Sequence, residues 1–244
     1  MATNRIRTLQ TSLPRGAPFD TASLARVGVS VPLAHAYVRG GWLEKLGRGV
    51  FMFAGDRLER DRTLAFLGTR IPGLHVAART ALAWHGFAHN IAMRETTILW
   101  GRPRAVLPGW FLERFPARYS SCRLFDDGLP PGTGMAPLPE APLGLPVSGP
   151  ERALLEMLGE VGVRQEAGEA RAVMEGLRQL RTAQLEILLP RCRMVKAVRL
   201  CVVWARELGL PWAGAAREAA SGRMGSGRWI TRHRNGTTLI VNPG

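Results

Sequence analysis

Apolar and polar positions separate most cleanly between residues 19 and 53. On a helix over residues 31–40, Leu33, Ala34, Tyr37 and Val38 form an apolar stripe, while Pro32, His35, Ala36 and Arg39 fall on the opposite side. Ser30 stands where an N-cap is needed, and Pro32 falls in the first turn, where a missing N–H costs little. Upstream, Asp20 predicts the cap of a helix reaching about Val27, with Phe19 as its hydrophobic staple and Gly28 as the turn between the two helices. Downstream, residues 42–46 and 50–53 are rich in strand formers, and Gly47-Arg48-Gly49 between them predicts a short hairpin loop with an arginine at its tip. Trp42 is expected in the core of this unit. A first helix over residues 4–10 would support it through Ile6 and Leu9. Helix, turn, helix and hairpin in this order predict a winged helix-turn-helix.

The pattern then changes. Residues 56–69 have helical periodicity, with Asp56 as the expected cap and Leu58, Leu64, Ala65 and Leu67 facing inward. A helix over 77–85 precedes strand-like runs at 96–100, 109–115 and 118–125, which together predict an antiparallel sheet against a helix. Residues 128–150 hold seven prolines and five glycines, so a loop or short edge strands are expected there. Helices follow at 151–158, 166–180, 182–189 and 193–208. The stretch 228–241 predicts a final hairpin, with Asn235-Gly236 as its turn. The fold class expected is α+β: an N-terminal winged helix-turn-helix over residues 1–55, a helix plus antiparallel sheet over 56–146, and a helical region ending in a β-hairpin over 147–244.

Charge sharpens this picture. The 244-residue chain carries a formal net charge of +14, and 46% hydrophobic composition is enough for a buried core. Such a balance favours a polyanionic partner, because neutralised phosphates release counterions. Residues 1–55 hold seven basic groups against Asp20 and Glu44, so the presumed DNA-binding unit is itself basic. Its candidate DNA contacts are Ser30, His35 and Arg39 on the second helix and Lys45 and Arg48 on the hairpin, the latter suited to an electronegative minor groove. Taken alone, Lys45 and Arg48 fit a solvated hairpin better; the preceding helices favour the wing. Near the other end, Arg193, Lys196 and Arg199 recur every third residue and so share one side of their expected helix. That side reads either as a solvated face or as a docking surface for an acidic partner or a second polyanion.

The run from Gly28 to Phe51, with its Gly-Val-Ser turn, Tyr-Val-Arg helix end, Gly-Trp-Leu and Gly-Arg-Gly, resembles the N-terminal domain of the AbiEi-type antitoxins, the transcriptional regulators of type IV toxin-antitoxin systems. Phe51 stands where that family often has tyrosine. Two later segments are also similar to the family: His75-Val76-Ala77-Ala78-Arg79-Thr80-Ala81-Leu82 with Gly86 following, and Val147-Ser148-Gly149-Pro150-Glu151-Arg152-Ala153-Leu154-Leu155-Glu156. The resemblance implies double-stranded DNA at promoter inverted repeats as one partner. It implies as the other a nucleotidyltransferase toxin or its RNA pathway, countered through the C-terminal region.

Catalytic chemistry finds little support. His85 and His89 have the spacing of two metal ligands, but Gly86 weakens a helix there and the acidic neighbour of a zinc protease motif is missing. Walker, dinucleotide and nucleophile-elbow motifs do not occur, and no cofactor or metal is expected. Asp126 and Asp127 are adjacent carboxylates beside a proline-glycine loop, which fits a polar turn better than a nuclease site. Cys122, Cys192 and Cys201 form neither a Cys-x-x-Cys pair nor an even set, as suits a reducing cytoplasm. No apolar run approaches the ~20 residues that span a bilayer. A non-enzymatic, cytoplasmic DNA-binding regulator is the expectation, with a plain transcription regulator lacking a toxin partner, or a DNA-targeted nuclease or nucleotide-modifying enzyme, as alternatives.

Overall fold

The structure is a computed structural model that describes residues 2–87, 96–136, 145–225, 229–232 and 238–241. Its first unit runs α1 (Ala2–Ser12), β1 (Phe19–Asp20), α2 (Thr21–Arg26), α3 (Val31–Arg39), β2 (Leu43–Gly47) and β3 (Val50–Phe53). Strand β3 is central and antiparallel to both neighbours, with Phe19 opposite Phe51 and Leu43 opposite Phe53. The three helices close over one face of this small sheet. Leu9, Phe19, Leu24, Ala34, Tyr37, Phe51 and Phe53 make a core of their own. Truncating a ring as deeply buried as Phe51 costs roughly 3–5 kcal/mol.

The local signals act as expected where a cap or turn sets them. Asp20 accepts from the Ser23 amide at 2.8 Å, and Ser30 from the Leu33 amide at 3.4 Å. Each such cap is worth ~1 kcal/mol. Gly28, at φ +76°, reverses the chain between α2 and α3, and the Val29 amide closes the turn on Leu24 O at 2.9 Å. Asp56 does not cap the next helix. Its carboxylate instead accepts from the Gly16 amide at 2.9 Å and pairs with Arg15, so α4 (Arg60–Gly68) starts later, behind Glu59.

A second, larger core runs from Leu64 to Ala220. Its strands are β4 (His75–Val76), β5 (Thr97–Trp100), β6 (Ala117–Ser120), β7 (Met135–Ala136) and β8 (Val147–Ser148), with α5 (Ala78–Trp84) following β4 and α6 (Gly109–Leu112) between β5 and β6. The sheet order is β6-β5-β4-β8-β7. It is mixed rather than antiparallel: β5 and β6 run parallel, as do β4 and β8. The strand expected over 109–115 is helical, because Pro108 O accepts from the Phe111 and Leu112 amides and starts a turn. Strand β8 lies inside the sheet between β4 and β7, so the boundary expected at 146/147 cuts through a hydrogen-bonded layer.

The helices α7 (Pro150–Glu160), α8 (Ala167–Glu175), α9 (Thr182–Leu188), α10 (Val195–Glu207) and α11 (Ala213–Ala219) complete this core, with α7 against both α5 and α10. A 3-10 turn, Leu189–Arg191, joins α9 to the approach of α10. Strands β9 (Trp229–Arg232) and β10 (Thr238–Val241) pair antiparallel; the expected Asn235-Gly236 turn lies outside the described residues.

Candidate functional site

Two places in the molecule gather functional side chains. The first is built by α3 and the β2–β3 hairpin. Ser30 and Arg39 are exposed at the two ends of α3, and Lys45 and Arg48 are exposed on the hairpin. Among the described residues, Arg39, Lys45 and Arg48 have no acidic partner. The hairpin turns through Arg48 and Gly49, with Gly49 at φ +67° as such a turn requires. Lys45 stands opposite Phe51 in the ladder, and cross-strand partners share a face, which puts Lys45 on the side of the hairpin that meets α3.

His35 occupies a different position from the exposed one expected of it. It is half-buried, and its ring meets Phe51 edge-on with centroids 6.1 Å apart. Trp42 departs in the opposite sense: expected in the core, it is 49% exposed. Its neighbour Leu43 points inward, and successive strand side chains alternate, so Trp42 faces out.

The other side of the hairpin is braced. Arg114 Nη2 stands 3.6 Å from the Glu44 carboxylate, and a Cβ at Gly47 would lie 3.2 Å from Trp110 Cδ1. Both partners come from α6 and the turn after it. A further tie joins Asp20 to Arg70 at 2.9 Å. Burial alone raises the Asp20 carboxyl, but the Ser23 amide and the Arg70 guanidinium outweigh it and hold the group below its ordinary value.

The second place is inside the larger core. Helix α7 carries Glu151, Glu156 and Glu160 at or near full burial, and each has a basic partner. Glu151 takes the Arg181 amide at 2.8 Å and its guanidinium at 3.0 Å; Glu160 takes both Arg118 terminal nitrogens. Glu156 is the most connected. Its carboxylate accepts from Ser148 Oγ at 3.0 Å, Arg152 Nε at 2.9 Å and the Ala78 amide at 3.0 Å, and meets His75 Nε2 at 3.1 Å. The other ring nitrogen of His75 faces Gly73 O at 2.8 Å, so each ring nitrogen stands beside an acceptor.

Burial pushes the Glu156 carboxyl up, but the charge and hydrogen bond of His75, the Arg152 guanidinium and the Ala78 amide outweigh that and leave it below its ordinary value. The Ala78 amide belongs to a residue at φ +50°, a conformation costing ~1 kcal/mol or more without glycine, and Glu156 helps to hold it. All five residues of this cluster lie in the two later segments singled out in the sequence, one before β5 and one after β7. No role for Glu156 was legible there; a glutamate on an amphipathic helix looks like a solvated charge until its distant partners are known.

The face expected from Arg193, Lys196 and Arg199 is not formed. Arg193 precedes α10 and is exposed; Lys196 Nζ donates to Val161 O at 2.7 Å; Arg199 is 3% exposed and donates to Met224 O at 2.6 Å. Burial lowers the Lys196 ammonium, with Cys122 and Glu160 opposing. The three cations point into different surroundings, because the chain after α11 returns over this side of the helix. Asp126 is likewise committed: it accepts from the Gly128 amide at 3.0 Å and lies 3.7 and 3.8 Å from Arg191 and Arg223. His89 lies outside the described residues, and among those described no three potential metal ligands cluster. No helix among them is long and apolar enough to cross a membrane.

Two helices joined at the Gly28 turn, followed by a hairpin with exposed cations, are the features from which the sequence predicts a transcriptional regulator. Comparison with protein families bears this out. Residues 2–93 match the family described as transcriptional regulator, AbiEi antitoxin N-terminal domain, and residues 94–239 match transcriptional regulator, AbiEi antitoxin, type IV TA system. The chain belongs to the AbiEi antitoxin family of type IV toxin-antitoxin regulators. Among curated proteins none matches it. Among solved structures it is similar to the crystal structure of the RV2827C protein from Mycobacterium tuberculosis, with a TM-score of 0.60 and 16% identity over 90% of this chain and 80% of that one. At that identity the likeness concerns the fold.

Proposed function

We propose that residues 1–55 form a winged helix-turn-helix that binds double-stranded DNA at inverted repeats in the promoter of the protein's own operon, and that the protein thereby acts as an autorepressor. Helix α3 enters the major groove with Ser30 and Arg39 toward the DNA, and Arg48 reaches the adjacent minor groove from the hairpin tip. The observation that carries this reading is the set of exposed cations Arg39, Lys45 and Arg48 on α3 and the hairpin joined to it, without carboxylate partners among the described residues. The arginines that hold the larger core together are by contrast matched with acids, as at Glu151 and Glu160. Unmatched cations beside a free helix face favour phosphate.

Family membership supports the second half of the reading: the C-terminal region counteracts a nucleotidyltransferase toxin, directly or through the RNA it modifies, without enzymatic activity of its own. The protein works in the cytoplasm. Footprinting on the upstream promoter tests the first half, with protection of two symmetric half-sites as the expected result. Co-expression with the toxin of the neighbouring reading frame tests the second. Repression without rescue from the toxin would leave a plain transcription regulator.

A further inference from the structure

Beyond the carboxyl ends of the parallel strands β5 and β6 the chain opens into a cleft of about 570 Å³, within the range of small-molecule sites. The two strands end level with each other, Trp100 opposite Ser120, and the loops that follow supply Arg102 on one side and Arg123 on the other. Ligands in sheets with parallel strands favour this end. Both arginines are exposed and have no carboxylate partner among the described residues. A second cleft of about 360 Å³ shares Cys122 with the first and adds Arg104 and Arg164, also exposed and unmatched.

The interior of the larger cleft is preorganised. His75 and Arg152 line it, and the buried Glu156 fixes both from behind. Arg152 is further locked by Thr133 O at 2.9 Å and by the Phe125 ring, 4.7 Å from its guanidinium carbon. Trp100, Leu124, Phe125 and Leu129 give the cleft an apolar wall. The indole Nε1 of Trp100 is buried and lacks an acceptor among the described residues. Two aspartates also line the cleft. Asp126 is held by the Gly128 amide and faces Arg191 and Arg223, whereas Asp127 is exposed with no basic partner among the described residues.

From this arrangement we infer that the cleft binds a nucleoside polyphosphate. Arg102 and Arg123 take the phosphates at the mouth, with Arg104 and Arg164 extending the anion path, and Arg152 is the fixed cation at the base. A planar ring lies on the apolar wall, and Asp127 accepts from hydroxyl or amino groups. One isolated phosphate would not use cations spread over two clefts that meet at Cys122, and a purely apolar ligand would leave them unsatisfied. The site stands apart from α3 and the hairpin and does not depend on the DNA-binding reading.

The test is calorimetric titration of the full-length protein with the four ribonucleoside triphosphates and with inorganic pyrophosphate, at low salt with chelator present. At least one triphosphate should bind saturably at one site, with pyrophosphate competing. Arg102→Gln with Arg123→Gln should weaken binding at least about tenfold, each lost charge-assisted contact being a large fraction of a weak site's affinity. The melting temperature should stay unchanged, since both side chains are exposed. Arg206→Gln with Arg217→Gln, exposed positions on α10 and α11 outside the cleft, and Arg39→Ala with Arg48→Ala should bind the triphosphate as the wild type does. Absence of saturable binding at millimolar ligand, undiminished binding by the Arg102/Arg123 variant, or loss of binding in the Arg39/Arg48 variant would overturn the proposal. So would a single-stranded RNA that binds this cleft far more tightly than any triphosphate, which would make it a nucleic-acid site.

Discussion

His75 and Glu156 stand 81 residues apart in the chain and meet at 3.1 Å in a core where both are buried. The contact ties strand β4 to helix α7, and Arg152, Ser148 and the Ala78 amide converge on the same carboxylate. Removing its charge would leave the Arg152 guanidinium without its carboxylate and disturb the contacts of His75, Ser148 and the Ala78 amide. Glu156→Gln is therefore expected to destabilise the larger core by roughly 3–5 kcal/mol, as broken buried pairs do. The folded carboxyl sits below its ordinary value of 4.5, so its stabilising contribution is complete at neutral pH and begins to fall near 4.5. It is lost as pH drops through the lowered folded value. Thermal unfolding from pH 7 downward should show this acid loss in the wild type and a flatter profile in Glu156→Gln. An unchanged melting temperature in the variant would show that the cluster does not secure the fold.

The proposed DNA interface predicts a separation of binding from stability. Arg39→Ala and Arg48→Ala remove exposed side chains, so melting should shift little. Affinity for the promoter fragment should fall. A lost phosphate contact lowers the log-log salt slope by about one unit, whereas a lost base contact relaxes sequence preference at ~1–3 kcal/mol. Equal affinity in both variants would remove these residues from the interface. His35 is a poor probe, because its packing on Phe51 mixes the two effects.

Tryptophans separate the two kinds of burial in this chain. Trp42 is 49% exposed, whereas Trp212 is 1% exposed and donates its Nε1 to Leu177 O at 2.6 Å. Denaturant titration should place Trp42→Ala within about 1 kcal/mol of the wild type. Trp212→Ala should lose roughly 3–5 kcal/mol. A large loss at Trp42 would mean that its exposed ring is covered in solution by another surface.

What could be read from the chain followed the range of the interaction. The apolar stripe of α3, its Ser30 cap and the Gly28 turn are local, and the structure contains all three where the pattern placed them. Trp42 was misplaced because residue type favoured burial, while the alternation set by Leu43 decided its direction. Residues 109–112 are helical because a Pro108 turn outweighs strand propensity over so short a run. Arg193, Lys196 and Arg199 had the spacing of a common face, yet α10 begins only at Val195 and the later chain covers Arg199. The Glu156 cluster was invisible for a stronger reason. Its members lie in two segments that come together only when β4 and β8 pair, a long-range contact that no local pattern encodes.

The brace behind the hairpin gives the last prediction. Trp110 lies against Gly47 and Arg114 faces Glu44, so the rim of the larger unit supports the strand that carries Lys45 and leads to Arg48. Neither contact is part of a deep core: Trp110 is half-buried, and the Arg114–Glu44 pair is an exposed one worth ~1 kcal/mol at most. Trp110 also packs on the larger core and edge-on to Phe111, so Trp110→Ala should cost some global stability, less than loss of a fully buried ring, while freeing the hairpin. Hydrogen exchange in residues 43–53 should quicken, since local opening is governed by local contacts. Promoter affinity should fall several-fold, because a mobile hairpin must be ordered on binding. Restoring the ring with Trp110→Phe should recover most of both. If exchange quickens and affinity does not change, the hairpin is not an energetic part of the DNA interface, and α3 alone carries recognition.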